Sequence, residues 1–171
     1  MKIKLFFLAV IAFFSISIDE AIHQNELDYI SIKSVKVNNQ ISINSTKKEL
    51  VKSFGKPDSI EKFFNELIDE KPTYRYKYGN SYFDIYDSKV STFMVADSKF
   101  SIMGFSPGMN LKKLVEKFPK SYASKYVYDE KLPSRYNIRV GLKSNKSIID
   151  SDLFFKVDNK KVLSIEYWED Y

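Results

Sequence analysis

The side chains able to do chemistry are few, and their placement narrows what they can do. The single histidine, His23, stands in a polar stretch near the start of the chain, and there is no cysteine. Ser–His and Cys–His nucleophilic arrangements need an imidazole held beside the nucleophile, so neither is expected. Thiolate and multi-imidazole metal sites lack their ligands, and no cofactor is expected. Carboxylates remain. Asp150 and Asp152 lie two apart, and Asp69-Glu70 and Glu169-Asp170 are adjacent. A convergent pair could serve acid–base hydrolysis or hold Ca²⁺; solvated loops and termini are the ordinary setting for such residues. No EF-hand spacing, phosphate-cradling glycine loop or serine elbow occurs.

The surface with most binding chemistry is Tyr74-Arg75-Tyr76-Lys77-Tyr78. Strand alternation puts the three phenols on one face and the two cations on the other. Gly79-Asn80 can turn the chain back, so Tyr82 and Tyr86, in phase with each other, are expected to join that face. Tyr74, Tyr76, Tyr78, Tyr82 and Tyr86 together form the candidate binding set, since Tyr offers large, rigid contact area with a polar tip. If helices cover these rings instead, the hairpin is scaffold. Aromatics mixed with bases can also stack single-stranded nucleic acid. The charge argues against that partner: the chain carries +5, with 22 acidic residues interspersed.

These residues need elements to position them. The chain opens with Lys2 and Lys4, then an apolar run from Leu5 to Phe14, then Ser15-Ile16-Ser17. That is the plan of a secretory signal peptide cut before Ile18; an uncleaved anchor is the alternative. The run falls short of the roughly 20 residues a span needs, and no later stretch reaches that length. Loss of Lys2 and Lys4 brings the charge near +3. Export without cysteine excludes both disulfides and lipid attachment through a cysteine. Residues 18–28 read as a flexible lead. The triplets Asn44-Ser45-Thr46 and Asn145-Lys146-Ser147 match glycosylation acceptors, a pattern frequent by chance in a chain rich in Asn and Ser.

From Tyr29 to Ile43 β-branched residues alternate with polar ones, with a phase slip at Ser34 and a turn at Asn38-Asn39, which predicts two short strands. Thr46 and Glu49 have capping-box spacing. Leu50, Val51 and Phe54 form one face, and Gly55 and Pro57 stop the helix. Thr46–Lys56 aligns with Asn110–Lys120 at an offset of 64, with Asn110 at the cap position and Pro119 as the stop. Each helix is followed by a similar hairpin, Tyr82–Val90 and Phe154–Val162, with an Asp- or Asn-rich turn and then Lys-Val. The pattern predicts an α+β fold: a tandem repeat of short helices followed by antiparallel strands, helices packed on one side of the sheet. The first repeat is assigned to 29–100 and the second to 101–171. Ile60, Phe63, Phe64, Leu67 and Ile68 have helical spacing, which favours a helix within Ser59–Asp69.

The segments STKKELVKSFGKPD and SPGMNLKKLVEKFPKSY, with the hairpin YGNSYFDIYDSKV, resemble the β-lactamase-inhibitor-protein-like superfamily. Its members include tandem-repeat bacterial inhibitors and the small lipoprotein of the outer-membrane β-barrel assembly machine. The resemblance covers about Val37 to Tyr171. It implies an exported, non-enzymatic binder of another protein, and assigns no individual binding residue. The chain departs from the lipoprotein in having no cysteine to lipidate.

Two functions follow from these readings. One is a non-catalytic protein-binding module of the bacterial envelope, acting as an inhibitor, an immunity protein or an assembly accessory, in the periplasm or secreted. The other is a carboxylate-dependent envelope hydrolase, which requires Asp150 and Asp152 to point into one cleft.

Overall fold

Two-residue turns set the architecture. The computed structural model describes residues 26–67, 69–128 and 131–169. Strands β3 (Thr73–Tyr78), β4 (Ser81–Tyr86) and β5 (Lys89–Val95) form one meander. Strands β7 (Tyr136–Ser144), β8 (Ser147–Asp158) and β9 (Lys161–Glu169) form another. The β4–β5 turn is Asp87-Ser88 and the β8–β9 turn is Asn159-Lys160, all four at positive φ. Left-handed backbone at both central positions matches the twist of the flanking strands, and among non-glycine residues Asp and Asn tolerate it well.

The two meanders share one sheet. β5 pairs antiparallel with β9 through Phe93↔Tyr167, Met94↔Glu166 and Val95↔Ile165. The edge strand β2 (Ser59–Phe63) extends the first meander by pairing with β3. On the other side β1 (Tyr29–Ser31) pairs parallel with β7, and β6 (Tyr126–Val127) pairs antiparallel with another part of β7. The order is β1-β7-β8-β9-β5-β4-β3-β2, with β6 beside β7.

This corrects the expected fold class. The chain is mainly a single mixed nine-stranded sheet, 46% strand against 16% helix, and not a repeat of helices with a helical layer on one side. The three α-helices are α1 (Lys47–Phe54), α2 (Lys112–Lys117) and α3 (Pro119–Ala123). An eight-residue helix is about 12 Å long, whereas eight strands span roughly 35 Å. The helices therefore cannot cover the sheet. Irregular segments complete the core: Val35, Val37 and Ile41 from one, and Phe100, Ile102, Phe105 and Leu111 from another, are all buried. They pack with Phe83, Phe93, Phe155, Ile165 and Tyr167 of the strands.

The expected helix within Ser59–Asp69 is also overturned. Ser59–Phe63 is strand, with Ile60 opposite Tyr76 and Phe63 opposite Thr73. Residues three apart in a strand face opposite sides, so the spacing that mimics a helix here marks the two faces of an edge strand. Ile68 lies outside the described residues.

α1 forms as its sequence dictates. Thr46 accepts from the Glu49 amide, Glu49 reaches back to the Thr46 amide, and Gly55 closes the helix at φ +82°. The second helix differs. Leu111 is its N-cap and has no side-chain cap bond, although Asn110 Oδ1 accepts from the Lys112 amide at 2.9 Å. Pro119 does not simply stop it: the chain kinks at Phe118 and Pro119 opens α3.

Both helices dock on their hairpins through the same bonds. Asn44 N donates to Val90 O, Val90 N to Ser45 O, and Lys47 N to Ser88 O. In the second unit Gly108 N donates to Val162 O, Val162 N to Met109 O, and Leu111 N to Lys160 O. A register shift interrupts β4–β5 between Asp84 and Ile85, and β8–β9 between Lys156 and Val157, the corresponding place.

Candidate functional site

The hairpin holding the candidate tyrosines divides them between two faces. Because the β3–β4 turn has two residues, Tyr78 opposes Ser81, Tyr76 opposes Phe83 and Tyr74 opposes Ile85. Tyr82 therefore opposes Lys77, on the face of the cations. The expectation that Tyr82 and Tyr86 join Tyr74, Tyr76 and Tyr78 is corrected by this register: opposed residues share a face, and even positions of β4 meet odd positions of β3.

On the inner face Tyr76 and Tyr78 are sealed, at 4% and 3% exposure. The Tyr78 hydroxyl donates to Gly55 O at 3.1 Å, and its ring meets Phe54 and Phe83 edge-on. Burial pushes its phenol up to about 12. Tyr74 is only partly covered and lines, with Tyr76, Lys47, Lys71 and Ile60, a groove of about 480 Å³. Tyr86 is exposed beside the β4–β5 turn. Two of the five tyrosines are thus core and three remain accessible in part.

The outer face carries a more ordered arrangement. One transverse row runs across six strands, Lys77–Tyr82–Met94–Glu166–Phe154–Arg139, each neighbour a register pair. About the β5–β9 seam it reads cation, aromatic, Met, then Glu, aromatic, cation. None of the six is buried. The charges are tied into pairs. Arg75 grips Asp84 with two bonds of 2.8 Å, and its guanidinium lies 3.8 Å from the Tyr82 ring centroid and 5.1 Å from that of Phe63. Lys77 pairs with Glu61, Lys156 with Glu166 and Arg139 with Asp152. The Tyr82 hydroxyl donates to Glu166 Oε1 at 3.3 Å, linking the meanders. Burial, then the Glu166 charge, pushes the Tyr82 phenol up to about 12. Trp168 stands 51% exposed on this face, opposite Asp152.

Sequence reasoning did not find Phe63, Met94, Arg139, Phe154, Lys156, Glu166 or Trp168. The signal available was the alternation within β8 and β9. Joining Arg139, Phe154, Lys156, Glu166 and Trp168 to Tyr82 required knowing that β5 pairs with β9, which no local pattern encodes.

The carboxylates do not converge. A register shift between Gly141 and Leu142 separates Asp150 from Asp152. Asp152 is buried on the outer face against Arg139. Asp150 is exposed and lines a groove of about 480 Å³ with Glu169 and Ser151, of which Asp152 is no part. Asp69 and Glu70 are exposed, and Asp170 lies outside the described residues. Among the described residues no cluster of three or more His, Asp or Glu could hold a metal ion. His23 and the signal-peptide segment fall outside the described residues. Asn44 and Asn145 of the two acceptor triplets are exposed, both at positive φ. Among the described residues no helix is long and apolar enough to cross a membrane.

No family model and no curated protein matches the chain. Among solved structures it is similar to an extracellular protein containing a SCP domain from Bacillus anthracis str. Ames, with TM-score 0.42 and 14% identity, over 80% of this chain and 46% of that one. The likeness spans less than half of that protein and is too slight to carry an argument.

Proposed function

We propose that the chain is an exported, non-catalytic protein-binding module of the bacterial envelope that docks its partner on the outer face of the sheet. The row Lys77–Tyr82–Met94–Glu166–Phe154–Arg139 carries this reading. Aromatic rings supply large, rigid contact area, and the polarizable Met94 thioether adapts to an irregular partner surface. The flanking charges are already paired, so covering them leaves no lone ion in an apolar interface. The resemblance to the β-lactamase-inhibitor-protein-like superfamily and the signal-peptide pattern favour the same reading. Whether the partner is a toxin or hydrolase to be neutralised, or an assembly component, follows from its identity.

The test is cross-linked capture from envelope extract of the native host, with wild type, Tyr82→Ala/Trp168→Ala and Tyr74→Ala compared. Capture lost in the first variant and kept in the second supports the outer face. The reverse pattern moves the site to the groove around Tyr74 and sinks the proposal.

A further inference from the structure

The start of the described chain behaves as a peptide bound to the rest of the molecule. Residues 26–31 lie between α3 and the edge of β7. Asp28 and Ser121 bond reciprocally: the Asp28 amide donates to Ser121 Oγ at 2.9 Å, and the Ser121 amide donates to Asp28 Oδ2 at 3.0 Å. Ser121 is fully buried. The Gly141 amide donates to Asp28 O at 3.0 Å, which starts the parallel β1–β7 ladder.

The side chains of this segment meet matching partners in turn. Glu26 pairs with Lys120, and Ser124 Oγ donates to Glu26 O. Tyr29 seats its ring on Gly141, where an added Cβ would lie 2.4 Å from Tyr29 Cε1. No other residue leaves room for that ring. The Lys143 ammonium stands 4.8 Å from the same ring centroid. Ile30, opposite Leu142, packs against the core. The groove therefore reads a pattern: an acidic residue, the partly covered Leu27 position, Asp, an aromatic, a β-branched residue. Lys120 at its rim matches the acids Glu26 and Asp28 in charge.

The ladder that holds this segment is short. The parallel ladder is three residues long, and a single 3-10 turn, Ile32–Ser34, joins it to the remaining chain. Short ladders at a sheet edge open at far lower cost than the global unfolding energy. Beyond Tyr136 and Asn137, which β6 covers, β7 then presents an unpaired edge, the template for adding a strand from another chain.

We propose that the α3–β7 groove is a docking site for an extended peptide of this acidic–Asp–aromatic–β-branched pattern, held in cis by residues 26–31, which a partner's segment displaces. Its ring seat shares a register row with Trp168 of the outer face, Tyr29–Gly141–Asp152–Trp168, but the peptide titration reads the α3–β7 edge alone, so either proposal can fail without the other.

The probe is a fluorescein-labelled peptide of residues 26–34, titrated into the full chain. Its apparent affinity is reduced by the fraction of molecules whose own segment is docked. Asp28→Ala/Tyr29→Ala weakens only the cis segment and leaves the groove intact. The peptide is expected to bind this variant at least about tenfold more tightly than wild type. Adding Gly141→Val to the variant, which fills the ring seat, is expected to abolish binding. Equal binding to wild type and variant, no binding to either, or binding indifferent to Gly141→Val overturns the proposal. Hydrogen exchange on the wild-type chain needs no variant to fold. The Gly141 amide is expected to exchange faster than the β7–β8 ladder amides, and equal protection shows that the cis segment does not release.

Discussion

The two helix–hairpin units are built on the same bonds and finished differently. In each, the chain before the helix brackets the first residues of the last strand, Val90 in one and Val162 in the other. In each, a helix-end phenylalanine lies tilted against the central strand: Phe54 on Phe83 at 5.5 Å and Phe118 on Phe155 at 5.9 Å. The finishing differs at the helix ends. α1 has a full capping box and a glycine stop, and its Phe54 is only partly buried. α2 has no side-chain cap at Leu111, yet Phe118 is sealed, with Phe105 on one side and the kink into α3 behind it. Both helices bury a leucine, Leu50 and Leu114; local hydrogen bonding adds more to the first, and burial of the terminal ring adds more to the second.

Truncating the two phenylalanines tests that contrast at its strongest point. Phe118→Ala is expected to destabilise by about 3–5 kcal/mol, the range for a fully buried ring, and Phe54→Ala by about 2 kcal/mol because part of its area already meets water. Denaturant melts of both variants decide it; equal losses would mean the units are held alike.

The caps invert the order. Thr46→Ala is expected to cost about 1 kcal/mol, since the Glu49 amide loses its acceptor and the Glu49 carboxylate loses a hydroxyl donor. Asn110→Ala removes a bond to Lys112 N that does not cap the helix, and a loss under about 0.5 kcal/mol is expected. Thermal melts showing the larger loss at Asn110 would break the contrast.

The subtlest difference concerns alkali. Tyr78 and Tyr82 of the first unit correspond in register to Val140 and Phe154 of the second, which have no proton to lose. Both phenols are raised to about 12 in the fold, above about 10 in an unfolded chain. Raised acids favour the folded state fully below pH 10, and that contribution disappears as pH climbs from about 10 through about 12. Tyr82→Phe is expected to lose less stability than wild type across that window. Tyrosinate absorbance followed alongside the melt checks the cause, and an unchanged alkaline slope would show that Tyr82 is not a source of it.

What could be read from the sequence was local. The Thr46–Glu49 box, the Gly55 stop and the Asp87-Ser88 and Asn159-Lys160 turns each depend on a few adjacent residues, and each is visible as such. The phase of the tyrosine hairpin also had a local cue. A two-residue turn at Gly79-Asn80 requires Tyr78 to face Ser81, which sends Tyr82 to the cation side. The β2 edge was hidden because an edge strand need not bury either face, so Ile60 and Phe63 lack the alternation of a covered strand. The outer-face row was hidden for a different reason. Its halves are about 70 residues apart and meet only through β5 and β9.

That seam also sets an order of events during synthesis. β5 ends at Val95, but its partner β9 does not finish until Glu169. Until residue 169 has emerged, the first meander waits with an open β5 edge and with Phe93 lacking Tyr167, its ring neighbour at 5.9 Å. Pairing between residues so distant in the chain is slow to form, and an open strand edge invites pairing with another molecule. The interval between the emergence of β5 and that of β9 is therefore the period when this chain most needs a chaperone or a dilute compartment.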